Sequence, residues 1–212
     1  MNKKQIILVG GGGHCKSCIE VIESSVEFEI AGIIDVKEKI GDFILGYEII
    51  GCDDDLIDLK KRYEYAIVTV GQIKSNQVRV NIYKNLKELG YKLPVIVAST
   101  AIVSRHSKIE SGTIVMHQSF VNADCVIGEN CIINSKVLVE HDCVVGNNCH
   151  ISTGSKINGN VNIGNDCFVG SNSSLVNGIM VADRVLLGIN SLVIKSIKEA
   201  GIYAGNPLRK IK

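Results

Sequence analysis

The apolar and polar positions of the 212-residue chain follow two different patterns. From Val103 to Lys198 an aliphatic residue returns every sixth position without a slip, from Val103, Ile109 and Val115 through Val139, Ile157 and Leu175 to Val193. Four residues after each of these stands a small or β-branched residue, as at Thr113, Cys125, Val137, Ser155 and Ile197. An amphipathic helix would repeat at three and four, and a half-buried strand would alternate. A period of six fits neither. It predicts a parallel β-helix in which each hexad is a short strand plus a corner and three hexads close a triangular coil. The 96 residues hold 16 hexads. They predict roughly five coils stacked at about 4.8 Å, a prism some 25 Å tall. The opener of each hexad faces inward and the residue four later packs near the corner. Gly or Asn directly after the opener, as at Gly128, Gly146, Gly164, Gly170 and Gly188, is expected to supply backbone freedom at the turns.

The first 97 residues are patterned differently. Lys4–Val9 is an apolar run of strand length that stops at Gly10–Gly13, and Cys15, Cys18, Ile19 and Ile22 have helical spacing. Phe28–Ile34 reads as a second strand ending at Asp35. Tyr65–Val70, Val78–Leu89 and Leu93–Val97 read as strand, helix and strand. This is the opening βαβ of a doubly wound, Rossmann-like parallel sheet with an acid after the second strand. The expected organisation is a domain over 1–97, a β-helix over 98–198, and a tail over 199–212 folded back on the end of the prism, with Arg209, Lys210 and Lys212 in it.

Charge and composition narrow the function. Lys and Arg number 23 against 22 Asp and Glu, which gives no global drive toward nucleic acid or membrane. The partner expected is a small molecule or another copy of the chain. The opening MNKKQIILVGGGG is too short for a membrane span and has no small-residue cleavage site, so a cytoplasmic location is expected. Five of the eight cysteines, Cys125, Cys131, Cys143, Cys149 and Cys167, occupy the compact slot of the hexad that Ser, Thr or Val fills elsewhere. They read as small buried hydrophobes. Cys15 and Cys18 form a lone C-x-x-C without the two further ligands of a structural zinc, so no metal is expected.

Two stretches remain as candidate chemistry. Gly10 to Gly13 before a helix can cradle a phosphate. The G-x-G-x-x-G dinucleotide fingerprint is incomplete, however, because Cys15 stands where its third glycine would be. The loop therefore reads as a site for a nucleotide or its diphosphate, with Asp35 placed for a ribose or base contact, and not for NAD. In the prism, Glu140-His141-Asp142 lies between the pattern residues Val139 and Cys143 and is left for the surface or a corner. One coil is eighteen residues, so Gly159 stacks on His141, opens space beside the imidazole and exposes a backbone N–H. An imidazole next to a carboxylate suits general-base work. His150, half a coil on, faces another side of the prism and is not expected to touch His141 within one subunit. His106 and His117 lack such surroundings and read as surface residues.

The run INSKVLVEHDCVVGNNCHISTGSKINGNVNIGNDCFVGSNS, with ILVGGGGH before it and AGNPLRKI after it, resembles the bacterial sugar acetyltransferases of the sialic-acid O-acetyltransferase type. It is close to the nucleotide-amino-sugar N-acetyltransferases that make diacetylated bacillosamine or N-acetylperosamine. The resemblance implies a left-handed parallel β-helix, a homotrimer with active sites at subunit interfaces, and acetyl-CoA in the groove between prisms. By the same resemblance His141 is the catalytic base and Asp142 its following acid. Asn134 contacts the sugar, and His150, Gly159, Gly170 and Gly188 lie at acetyl-CoA. Gly11, Gly12, His14 and Asp35 hold the nucleotide part of an activated amino sugar. The acid after the histidine is Asp where the bacillosamine enzyme has Glu and the sialic-acid enzymes have Gly, which favours an amine acceptor over a hydroxyl, and the resemblance implies the amine at C4 of the sugar. The rival functions are sugar O-acetylation and a non-catalytic nucleotide-binding scaffold.

Overall fold

The computed structural model describes residues 3–212 and divides into two compact units, one up to Ser99 and one from Thr100 on. In the first unit, β1 (Lys4–Val9), α1 (Gly13–Glu23) and β2 (Phe28–Ile34) form the expected βαβ. A hairpin of β3 (Phe43–Ile44) and β4 (Tyr47–Gly51), a short helix α2 (Leu56–Leu59), β5 (Tyr65–Val68) and α3 (Gln77–Glu88) follow. The sheet order is β3-β4-β2-β1-β5, parallel except for the β3–β4 hairpin. The chain thus leaves β1 toward β2 on one side and later returns to β5 on the other. The carboxyl ends of β1 and β5 are the point where strand order reverses, the usual place for a ligand in such sheets. Ile7, Val9, Ile34, Ala66 and Val68 pack with Tyr83 and Leu86 of α3. Alternate residues Ile6, Leu8, Ile33 and Ile67 are buried on the opposite face, and α1 buries Cys15, Cys18, Ile19 and Ile22.

The hairpin and α2 have no counterpart in the sequence reading, because elements of two to five residues carry no usable period. The strand expected from Leu93 shrinks to Ile96–Val97, and β5 ends two residues early, at Val68.

The second unit is a left-handed parallel β-helix. Its two-residue strands stack in register eighteen residues apart on three faces. One face carries Phe120–Val121, Leu138–Val139 and Lys156–Ile157, and the next Val126–Ile127, Val144–Val145 and Asn162–Ile163. The third carries Ile132–Ile133, His150–Ile151 and Phe168–Val169. Openers from Val115 to Val193 and the residues four after them are buried. Beyond Lys198 the chain stays in this unit. Gly201–Ala204 pairs in parallel with Val185–Leu187, and Arg209–Lys210 turns back antiparallel on it.

The turn chemistry differs from the expectation in one respect. The left-handed residue of each corner is the third after the opener, as at Asp124, Asn130, Asp142, Asn148, Asn160 and Asp166, all with φ between 57° and 61°. Asn and Asp tolerate that region best among residues with a side chain. The glycines directly after the opener have no positive φ. They are glycine for lack of room: a Cβ on Gly146 would lie 2.7 Å from the carbonyl carbon of Gly164 in the next coil.

Candidate active site in the prism and the glycine loop

His141 stands at the corner after Leu138–Val139, one residue before the left-handed position. Asp142 fills that left-handed position with φ 61°, so the fold itself favours an Asp or Asn there. This corrects the reading of Asp142 as a residue the fold does not need. The backbone turn also aims the carboxylate at the ring, for Asp142 Oδ2 is 2.7 Å from His141 Nδ1. That hydrogen bond, helped by the charges of Asp142 and Glu140, raises the imidazole pKa above its ordinary value. Glu140 is held aside by Asn122, whose Nδ2 donates to Glu140 Oε2 at 2.7 Å.

With Nδ1 turned to Asp142, Nε2 faces outward over Gly159. A Cβ on Gly159 would lie 2.7 Å from His141 Cε1, 2.8 Å from Nε2 and 3.3 Å from Nδ2 of Asn177. The missing side chain thus leaves a notch bounded by the imidazole on one coil and an amide on another. Coil-to-coil bonds from Asn160 N–H to His141 O and from Gly178 N–H to Gly159 O hold the column in register. Among the described residues the Gly159 N–H donates to no other group. Such a corner can accept a proton at Nε2 and offer N–H donors to developing negative charge.

His150 is buried on a strand of the third face, its ring edge-to-face with Phe168 at 5.2 Å. Asn134 Nδ2 meets His150 Nε2 at 3.0 Å, and Asn134 Oδ1 accepts the Ser135 N–H at 2.8 Å. The structure therefore brings Asn134 and His150 together as one polar pair. Gly170 and Gly188 are close-stacking glycines: a Cβ on Gly170 would meet the Gly188 backbone at 2.5 Å, and one on Gly188 would meet Ala204 at 2.8 Å. Packing alone accounts for both.

In the first unit, Gly11 N–H donates to Asp35 Oδ2 at 3.1 Å, Val36 N–H to Asp35 Oδ1 at 2.8 Å, and Lys39 Nζ to Oδ2 at 3.1 Å. Asp35 thus pins the glycine loop to the end of β2. Gly12, the residue before α1, has nothing within 4 Å of where its Cβ would be, so the helix start is open to close approach. His14 packs its Cβ side against Gly71. A cavity of about 420 Å³ opens at the carboxyl ends of the strands and is lined by Gly10, Asp35, Lys37, Cys52, Val70 and Val78 among others. Lys37, Cys52, Val70 and Val78 carry no sequence signal for this role, since only the reversal of strand order brings them together.

The two thiols of the C-x-x-C are free and buried in the first unit. Burial pushes Cys15 up to about 11 and Cys18 to about 12. Among the described residues no three His, Cys, Asp or Glu side chains converge as a metal site requires.

Comparison with known proteins places this geometry. Residues 5–86 match the PglD N-terminal domain, and residues 106–141 match the bacterial transferase hexapeptide model of six repeats. A search of curated proteins finds no match. Among solved structures, a variant of perosamine N-acetyltransferase from Caulobacter crescentus, in complex with CoA and GDP-perosamine, aligns with a TM-score of 0.92 at 26% identity. The alignment covers 98% of this chain and 97% of that one. The acetyltransferase domain of PglB from Neisseria gonorrhoeae aligns at 0.91 and 27% identity over 99% and 100% of the two chains, and it has also been solved with acetyl coenzyme A. WeeI from Acinetobacter baumannii, at 20% identity and a TM-score of 0.86 over 99% and 100%, shares the fold. With a PglD-type first unit, a hexapeptide-transferase prism and this likeness over nearly its whole length, the chain is an acetyl-CoA-dependent acyltransferase that resembles the bacillosamine and perosamine N-acetyltransferases.

Proposed function

We propose that the protein transfers the acetyl group of acetyl-CoA to the amino group, at C4, of a nucleotide-linked amino-deoxy-sugar. The observation that carries this is the His141 corner: Nδ1 tied to Asp142 at 2.7 Å and Nε2 over the notch at Gly159. The perosamine and PglB relatives, which bind CoA with GDP-perosamine or acetyl coenzyme A, supply the substrate class.

In this reading the nucleotide is held in the first unit, by the glycine loop and the cavity beside Asp35. At the prism the neutral amine attacks the thioester carbonyl and a C–N bond forms. His141 Nε2 takes the proton that the nitrogen loses, while Asp142 orients the ring and stabilises the imidazolium. The tetrahedral centre then collapses, the C–S bond breaks, and the imidazolium returns the proton to the departing sulfur. Asn134 contacts the sugar, and His150 lies at acetyl-CoA with Gly159, Gly170 and Gly188. No acyl-enzyme forms, because the nearby Cys125 and Cys143 are buried in the prism. The chain works as a homotrimer in the cytoplasm, in the synthesis of a surface glycan. Exposed Val126, Val144 and Met180 on one face of the prism, with Asn162 stacked between the last two, fit a subunit interface.

The test is thiol release from acetyl-CoA with a panel of nucleotide amino sugars and hydroxyl sugars, including free and CMP-linked sialic acid. Turnover of a 4-amino sugar is expected. Turnover of sialic acid alone would make this an O-acetyltransferase, and no acetyl-CoA binding would leave a nucleotide-binding scaffold.

A further inference from the structure

We infer that Asn177 is a second donor to the oxyanion of the acetyl-transfer step, alongside the Gly159 N–H; the inference rests on the acetyltransferase reading above. His141, Gly159 and Asn177 occupy the same place in three successive coils, each two residues after an opener. Asn177 Nδ2 lies 3.3 Å, and His141 Nε2 2.8 Å, from the point a Gly159 Cβ would fill. The two nitrogens therefore face one notch and are at most about 6 Å apart.

That separation suits one tetrahedral centre. An attacking nitrogen about 3 Å from the base and an oxyanion about 3 Å from an amide donor fit between them, because the two atoms share a carbon. The amine side of the centre then belongs to His141 and the oxygen side to Gly159 N–H and Asn177 Nδ2.

Like Asn160, Asn172 and Asn190, and unlike several other corner amides, Asn177 has a side chain that the fold does not use, and of these four it is the one found at the His141–Gly159 notch. Asn122 and Asn134 each accept the N–H of the following residue, at 2.8 Å in both cases. Asn147 and Asn165 accept an N–H from the preceding coil, and Asn158 Nδ2 donates to Leu175 O. Among the described residues the Asn177 side chain has no such bond, and it is exposed. Its amide is available to a ligand at no cost to the prism, and Asn177 variants should fold.

The experiment compares wild type, Asn177→Ala and Asn177→Asp with whichever sugar the wild type acetylates, measuring kcat, and measures acetyl-CoA dissociation constants by calorimetry. Loss of one oxyanion donor is expected to lower kcat about 100-fold. The dissociation constant should stay within about twofold, since ground-state binding is not the role. Asn177→Asp, the same shape with a negative charge turned to the oxyanion, should be at least as slow as Asn177→Ala. An unchanged kcat in both variants, a loss carried by weaker acetyl-CoA binding, or an Asp variant faster than the Ala variant overturns the inference and leaves the acetyltransferase reading standing. If only hydroxyl sugars are acetylated, the amine acceptor is wrong, and the same constants still decide the role of Asn177. A wild type that acetylates neither class sinks both.

Discussion

His141 Nε2 lies 2.8 Å from the point that a Cβ on Gly159, one coil further along, would occupy. The atom in the way is the end of an exposed side chain, so Gly159→Ala would displace the imidazole and leave the prism intact. Displacing a catalytic group by about 1 Å can cost about 100-fold, and kcat should fall by that order while the melting temperature changes by less than about 2 °C. Gly146→Ala is the opposite case. Its Cβ would meet backbone atoms of Gly164 and Asn165 at 2.7 and 2.8 Å. Overpacking of that kind costs about 1–3 kcal/mol. Thermal unfolding should separate the two: a Gly159→Ala protein that melts as early as Gly146→Ala would show that Gly159 is a packing glycine.

Asp142→Asn isolates charge from corner geometry, because Asn tolerates the left-handed φ of 61° that Asp142 holds. In the wild type the hydrogen bond that His141 Nδ1–H donates to the Asp142 carboxylate raises the His141 pKa. In the proposed mechanism His141 acts as a neutral base, so activity should be lost as pH falls through that raised pKa. Without the carboxylate the pKa drops toward the ordinary imidazole value. The acid limb of kcat/KM should move to lower pH, while the plateau rate falls for want of imidazolium stabilisation. An acid limb that stays in place in Asp142→Asn would mean that another group titrates there. Asp142→Ala adds a backbone cost of about 1–2 kcal/mol and is the poorer test.

The hexad period made the prism legible because packing repeats it sixteen times, and it made Gly159 legible because one coil is a fixed eighteen residues. Carrying that spacing one coil further would have reached Asn177. The period also misled. It treated Asp142 as surplus to the fold, although the third residue after the opener is constrained as well, through φ and not through burial, less strictly than the opener because Gln118, Lys136 and Arg184 also hold that position. The glycine after the opener was legible as required but not why, since crowding between coils and a need for positive φ look alike in sequence. In the first unit the strand–loop–helix was visible from Lys4 to Asp35. Lys37, Cys52, Val70 and Val78 were not, because a cavity made by the reversal of strand order has no period along the chain.

Seven of the eight cysteines are buried, and Cys52 alone is partly exposed, with its thiol 3.3 Å from Asp55 Oδ2. Brief treatment of the native protein with iodoacetamide should therefore modify Cys52 alone, and Cys52→Ser should abolish labelling. Nucleotide in the cavity that Cys52 lines should slow the reaction. After turnover with acetyl-CoA, mass spectrometry should find no acetylated cysteine. Acetyl on Cys125 or Cys143 would replace direct transfer by an acyl-enzyme.

The orientation of the Asn134 amide fixes the protonation of His150. Because Asn134 Oδ1 accepts the Ser135 N–H, Nδ2 is the atom turned to His150, and an amide nitrogen donates. His150 Nε2 must then accept, so the ring is neutral with its proton on Nδ1. Nitrogen-15 spectra of histidine-labelled protein, with His150 assigned from a His150→Gln variant, should show the Nδ1–H tautomer. In Asn134→Asp the donor becomes a carboxylate, and Nε2 can meet it only by carrying a proton. The ring should then switch to the Nε2–H tautomer or become imidazolium, with its titration moved to higher pH. A native His150 already protonated on Nε2 would reverse the amide assignment, and with it the coupling between the residue proposed to contact the sugar and the one proposed to contact acetyl-CoA.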